Sequence, residues 1–111
     1  MTQGIIDESV FRELCESAGT EFANELVGTF AEEAPAILEQ LSAARAAGEA
    51  DDFRRAAHSL KSNALTFGAL RLAQLARGME QGGLPVDAQR TASLEAALHE
   101  ALQALRALGR G

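Results

Sequence analysis

The sequence predicts an all-α fold: an antiparallel four-helix bundle with a short additional N-terminal helix. Three observations carry that expectation. The strong helix formers Ala (23) and Leu (15) far outnumber the 11 β-branched residues among 111. Trp and Tyr are absent, and only two Pro interrupt the chain. Apolar positions recur in alternating three- and four-residue steps, the spacing of one face of a helix. An apolar content of 47% exceeds what a disordered segment holds. The length suits one domain, residues 1–111.

Asp7 is placed to cap a first helix running to about Ser17, with Val10, Phe11 and Leu14 as its stripe and Gly19 just past its end. Thr20 is expected to cap a long helix reaching Ala47. Its stripe is Phe22, Leu26, Phe30, Ala34, Ile37, Leu41 and Ala44. Pro35 falls inside without breaking the phase, which favours one helix bent there over two abutting ones. Gly48 closes that helix, and Asp51 or Asp52 opens the next, which runs to about Phe67. After Gly68 a shorter helix, Ala69 to about Gln81, turns Leu72, Ala76 and Met79 inward. Gly82-Gly83-Leu84-Pro85 reads as a loop. A last helix, from about Val86 to Leu108, carries Leu94, Leu98, Ala101, Leu105 and Leu108. Short connections imply antiparallel neighbours, with the first helix covering one end.

Charge and cysteine bound the setting. The formal charge of −6 disfavours partners bound through phosphate backbone or anionic lipid, so no nucleic acid is expected. No apolar run approaches the roughly 18 residues that cross a bilayer, so no membrane insertion is expected. Met1-Thr2-Gln3-Gly4 lacks the basic start of a signal peptide, and the lone Cys15 can form no internal disulfide. A reduced, cytoplasmic monomer is the expectation. With neither a phosphate-binding Gly-rich loop nor a metal-spaced Cys/His/Asp cluster, no cofactor or metal is expected.

The helix from Asp52 to Phe67 is not explained by bundle packing alone. Phe53, Ala57, Leu60, Ala64 and Phe67 define its buried stripe, and at roughly 100° per residue His58 points about 160° away from it. Arg54, Arg55, Lys61, Ser62 and Leu65 fall within roughly 60° of His58. The helix thus presents an imidazole ringed by three cations in an otherwise acidic chain. An imidazole of ordinary pKa about 6.5 is mostly neutral at pH 7 and acts as a nitrogen nucleophile. Cations one turn away neutralise an arriving phosphoryl group, the place where electrostatic stabilisation matters in phosphoryl transfer. Ser62 is small enough to let another protein's loop approach the ring.

Ala57 to Ala69, read as A-H-S-L-K-S-N-A-L-T-F-G-A, closely resembles the signature of histidine-containing phosphotransfer (HPt) domains. There a histidine is followed by an apolar residue at +2, lysine at +3, a small residue at +4 and glycine at +10. His58, Leu60, Lys61, Ser62 and Gly68 stand at those places. The resemblance extends to F-R-E-L at Phe11 to Leu14, E-E-A-P around Pro35, G-E-A-D-D at Gly48 to Asp52 and L-A-R-G-M-E at Leu75 to Glu80. Ser62 stands where glycine is commonest, and Asn63 is polar where a small residue is usual. The resemblance implies a phosphorelay carrier without its own nucleotide site rather than an enzyme. His58 would take a phosphoryl group from the aspartate of one receiver domain and pass it to another. Lys61 would stabilise the phosphoryl group, and Arg54, Arg55, Ser62 and Leu65 would meet the partner. Gly68 would be structural, and the divalent metal would come from the receiver. The partners would be receiver domains of a hybrid histidine kinase, of a response regulator, or of both.

Other residues take ordinary readings. His99 is a solvated position between Glu95 and Glu100, Cys15 and Met79 belong to the core, and Gly28 is a packing glycine. Arg54 and Arg55 pair with Asp51 or Asp52 if they have no docking role. A helical adaptor that binds a receiver without carrying phosphate is the main alternative, and it has no need of the His58–Lys61 pair.

Overall fold

The computed structural model describes residues 5–110, with side chains from 5 to 108. Met1 to Gly4, on which the signal-peptide reading falls, lies outside the described residues, as does Gly111, so both ends of the 1–111 domain expectation do too. Five helices follow one another: α1 (Glu8–Ala18), α2 (Thr20–Ala47), α3 (Ala50–Thr66), α4 (Leu70–Gly82) and α5 (Ala88–Arg110). Helix α2 packs on α3, α3 on α4, α4 on α5, and α5 returns to α2, so four helices close a ring. Helix α1 lies across one end against α2 and, more lightly, α3. This is the expected bundle.

The helices begin and end largely for local reasons. Asp7 caps α1: its Oδ1 accepts from the Ser9 backbone N–H at 3.0 Å and from the Ser9 hydroxyl. Gly48, at φ 69°, takes the left-handed conformation that closes α2. Helix α2 runs without a break through Pro35, whose exposed ring removes one N–H from the ladder. Some starts differ from expectation. Thr20 is the first residue of α2 and Gly19 its cap. Helix α3 opens at Ala50 behind Glu49, placing Asp51 and Asp52 in the first turn, where carboxylates suit the positive end of the helix dipole. Helix α5 begins at Ala88, two residues later than Val86, with Asp87 accepting from the Arg90 N–H at 2.8 Å.

The buried stripes meet in one core. Phe53, Leu60, Leu41, Leu94 and Leu105 are fully enclosed, and Phe30 stacks on Phe67 with ring centroids 5.2 Å apart. Met79 is buried, whereas Cys15 is only partly so. The stripe of α2 starts at Ala23 and Val27; Phe22, placed there by the sequence, is 51% exposed. From Phe30 onward the expected stripe holds, with Phe30, Ala34, Leu41 and Ala44 buried; in the first two turns burial passes to the neighbouring, smaller Ala23 and Val27. No polar or charged residue is buried among the described residues.

Gly68 makes the corner between α3 and α4. Its φ is 74°, a region that side chains with a Cβ rarely adopt, and a Cβ there would lie 2.7 Å from the Asp7 carbonyl oxygen and 2.9 Å from the Val10 Cβ. The Gly68 carbonyl accepts from the Asp7 N–H at 2.7 Å, tying the start of α1 to the corner. Gly28, by contrast, is exposed in mid-helix, and a Cβ added there would meet nothing within 4 Å, so it is not a packing glycine.

These two positions should respond in opposite directions to the same substitution. Gly68→Ala is expected to lower stability by about 2 kcal/mol or more, through backbone strain and collision with α1. Gly28→Ala should raise it by about 0.5–1 kcal/mol, since glycine weakens a helix interior relative to alanine. Chemical denaturation of the two variants measures both.

Candidate functional site

His58 stands midway along the 17-residue helix α3, on the face turned away from the core. Phe53, Ala57, Leu60 and Ala64, on the opposite face, are buried and fix the rotation of the helix. The His58 side chain is 59% exposed. The sequence reading of the stripe and of the outward imidazole therefore agrees with the fold.

Sequence reasoning missed the group beside that imidazole. Glu80 comes from α4, which runs antiparallel to α3, and its carboxylate bridges two side chains of α3. Oε2 meets His58 Nδ1 at 2.7 Å, and Oε1 accepts from Lys61 Nζ at 2.7 Å. Hydrogen bonds from Lys61 first, then from His58, hold the Glu80 carboxyl below the usual glutamate range. An ionised carboxylate only accepts, so Nδ1 carries the proton. In the neutral ring the lone pair then lies on Nε2, which has no hydrogen-bond partner among the described residues. The only trace of Glu80 in the sequence is its place at the end of L-A-R-G-M-E. No periodicity links residues 22 apart until the register of two helices is known.

The pairing also changes Lys61. It is not a freely solvated member of a ring of three cations: its side chain is 23% exposed and its charge is matched by Glu80. Arg55 pairs with Asp52 at 3.5 Å on the surface, as its ordinary reading allows. Arg54 pairs with neither Asp51 nor Asp52. Its guanidinium rests over the backbone of Gly83, where a Cβ would come within 2.6 Å of a terminal nitrogen. Ser62 is exposed, and Leu65 is 50% exposed. Leu65 borders a shallow groove between α3 and α4 that also involves Lys61, Leu70, Ala73 and Arg77. Asn63 turns its amide back to the Ser59 carbonyl at 3.0 Å. His99 is exposed on α5, away from this face.

What the arrangement offers is an exposed imidazole whose Nδ1 is held by a carboxylate from the neighbouring helix. Among the described residues no three His, Cys, Asp or Glu side chains gather as a metal ion would require, and no helix is long and apolar enough to cross a membrane.

Comparison with known proteins bears on this face. A family model described as the Hpt domain matches residues 25–108. The chain is 32% identical over 101 residues to the sensor protein TorS of Escherichia coli (strain K12). That match covers 86% of the chain but only 11% of the length of TorS. No solved structure matches.

The bridge should show itself in acid. Because the Glu80 carboxyl sits below its ordinary value of 4.5, its contribution is present in full above that range and is lost as pH falls through the lower value it has in the fold. Glu80→Gln should remove that part of the acid loss of stability, leaving a shallower pH profile in urea denaturation. In nitrogen NMR the unsubstituted chain should show the His58 ring protonated on Nδ1 near neutral pH, and Glu80→Ala should shift the mixture toward the Nε2-protonated form.

Proposed function

Because the chain belongs to the histidine-containing phosphotransfer (Hpt) domain family, we propose that His58 carries a phosphoryl group between the aspartates of receiver domains. The observation that carries this reading is the imidazole itself: exposed, held through Nδ1 by Glu80, and free at Nε2 among the described residues. Glu80 serves as a positioning residue, since it acts through the ring and not on the incoming group.

In the transfer, the Nε2 lone pair attacks phosphorus in line. The bond from phosphorus to the partner's aspartyl oxygen breaks, and its electrons return to that carboxylate. The ring keeps its Nδ1 proton and gains positive charge, which faces the Glu80 carboxylate 2.7 Å away. Transfer onward reverses each step. Lys61, one turn along α3 from His58, supplies the ammonium nearest the phosphoryl oxygens. Positioning contributes most of what this chain adds, because a bundle that holds one ring still makes attack effectively unimolecular once the partner has docked. Arg54, Arg55, Ser62 and Leu65 meet the partner, and Gly68 supports the corner behind them. The divalent metal is the receiver's own. The domain is a carrier rather than an enzyme with a nucleotide site, and it works as a monomer in the cytoplasm. Its partners are receiver domains of a hybrid histidine kinase, of a response regulator, or of both.

Incubation with a phosphorylated receiver domain should place an acid-labile, base-stable label on the chain, and His58→Gln should abolish it while His99→Gln does not. The reverse pattern would move the acceptor to His99. Lys61→Ala should slow transfer or shorten the life of the phosphohistidine, yet cost at most about 1 kcal/mol of stability, as partly exposed ion pairs do. Ser62→Arg should block labelling by the receiver and spare labelling by phosphoramidate, which needs no docking; equal loss with both donors would mean that Ser62 acts on the ring itself.

A further inference from the structure

The charges around His58 do not act as the sequence counts them. Lys61 is matched by Glu80, and Arg55 by Asp52. Arg77, three residues before Glu80 on α4, forms no ion pair among the described residues, although that spacing would let the two meet. Arg54 likewise has no acidic partner among the described residues and lies over Gly83. Arg54, Arg71 and Arg77 are the unmatched guanidiniums of α3 and α4 among the described residues, and of these Arg54 and Arg77 fall on either side of the imidazole along the seam between the two helices. Arg54 is one turn before His58 at the Gly83 end, and Arg77 borders the groove shared by Lys61 and Leu65.

The polarity of the whole chain reinforces this. Residues 50–82, which form α3 and α4, hold five bases against three acids; the remainder holds five bases against 13 acids. The helix pair carrying His58 is therefore the basic part of a strongly acidic chain. Charge divided so unevenly along a chain orients an approaching acidic partner as well as attracting it.

We infer that Arg54 and Arg77 are specificity determinants that steer an acidic partner face onto His58, so that the domain selects receivers whose phosphorylated aspartate is rimmed by carboxylates. This rests on the phosphotransfer reading above. It assigns to Arg77 a role that the residue's place in the sequence does not suggest, and it separates two functions. The Lys61–Glu80 pair is locally neutral and serves the bound phosphoryl group, while Arg54 and Arg77 serve the encounter.

The test uses the full chain with phosphorylated receiver domains as donors. Arg54→Glu/Arg77→Glu should lower kcat/KM for transfer by about tenfold or more at low ionic strength, and the deficit should shrink in 0.5 M salt (on the order of a 4 Å Debye length) as the charges are screened. Arg77→Gln alone should give a smaller loss of the same kind. Phosphoramidate labelling of His58 should stay within about twofold in all variants, which also reports an intact fold. Arg106→Glu, an equal change of net charge per site on exposed α5, should leave receiver transfer within about twofold. Unchanged transfer in the double variant, an equal loss in Arg106→Glu, or a deficit insensitive to salt would each overturn the inference while leaving phosphotransfer intact. Failure of the unsubstituted chain to label from either donor would remove the phosphotransfer reading, and this inference with it.

Discussion

The corner at Gly68 is the constraint on which the rest of the molecule depends. Its left-handed backbone reverses the chain within a few residues, and its carbonyl fastens the start of α1. From His58 to the corner α3 rises roughly 15 Å, and α4 rises about the same distance from the corner to Glu80. The carboxylate returns to the level of the imidazole for that reason. A longer connection would shift the register, and the bridge between Glu80, His58 and Lys61 would fail even with every residue of the site present. A glycine ten residues beyond the histidine thus sets the surroundings of the imidazole without touching it.

Much of this was legible in the sequence, because helices advertise themselves by period. The inward stripe of α3 from Phe53 to Phe67 places His58 outward with no knowledge of its neighbours, and Gly48 and Gly68 mark ends that side chains would disfavour. Most of the errors fall where a rule about one helix meets a second helix. Phe22 and Ala23 fit the same step, and only the packing of α2 selects the smaller. Asp51 and Asp52 look like caps, yet the backbone enters the helix before them. Glu80 was invisible as a partner of His58 because pairing across 22 residues depends on interhelical register, which no single-helix pattern encodes. Arg54, Arg55 and Lys61 look equivalent on a wheel; the fold makes one an unmatched charge and gives the other two acidic partners.

The site combines properties that usually oppose each other. A reactive side chain must be reachable, and exposed side chains are commonly loose. Here the imidazole gains its orientation from a carboxylate on a different helix, while that carboxylate is anchored in turn by an ammonium from the first. Three side chains on two helices define one nitrogen's direction, and none of them is buried. The core contributes indirectly, by fixing the distance between α3 and α4 through Phe53, Leu60, Leu72 and Met79.

The position of His58 at the middle of α3 has a consequence for motion. Helices fray from their ends, and amides in the last turns exchange with solvent through small local openings, whereas those at the centre of a packed helix open only with larger cooperative units. His58 has about two turns of helix on each side, one of which ends in the pinned corner. Its side chain is exposed, while its backbone lies in mid-helix, away from the ends where local opening begins. A partner that met this face would find its helix already formed, so little association free energy would go into ordering it.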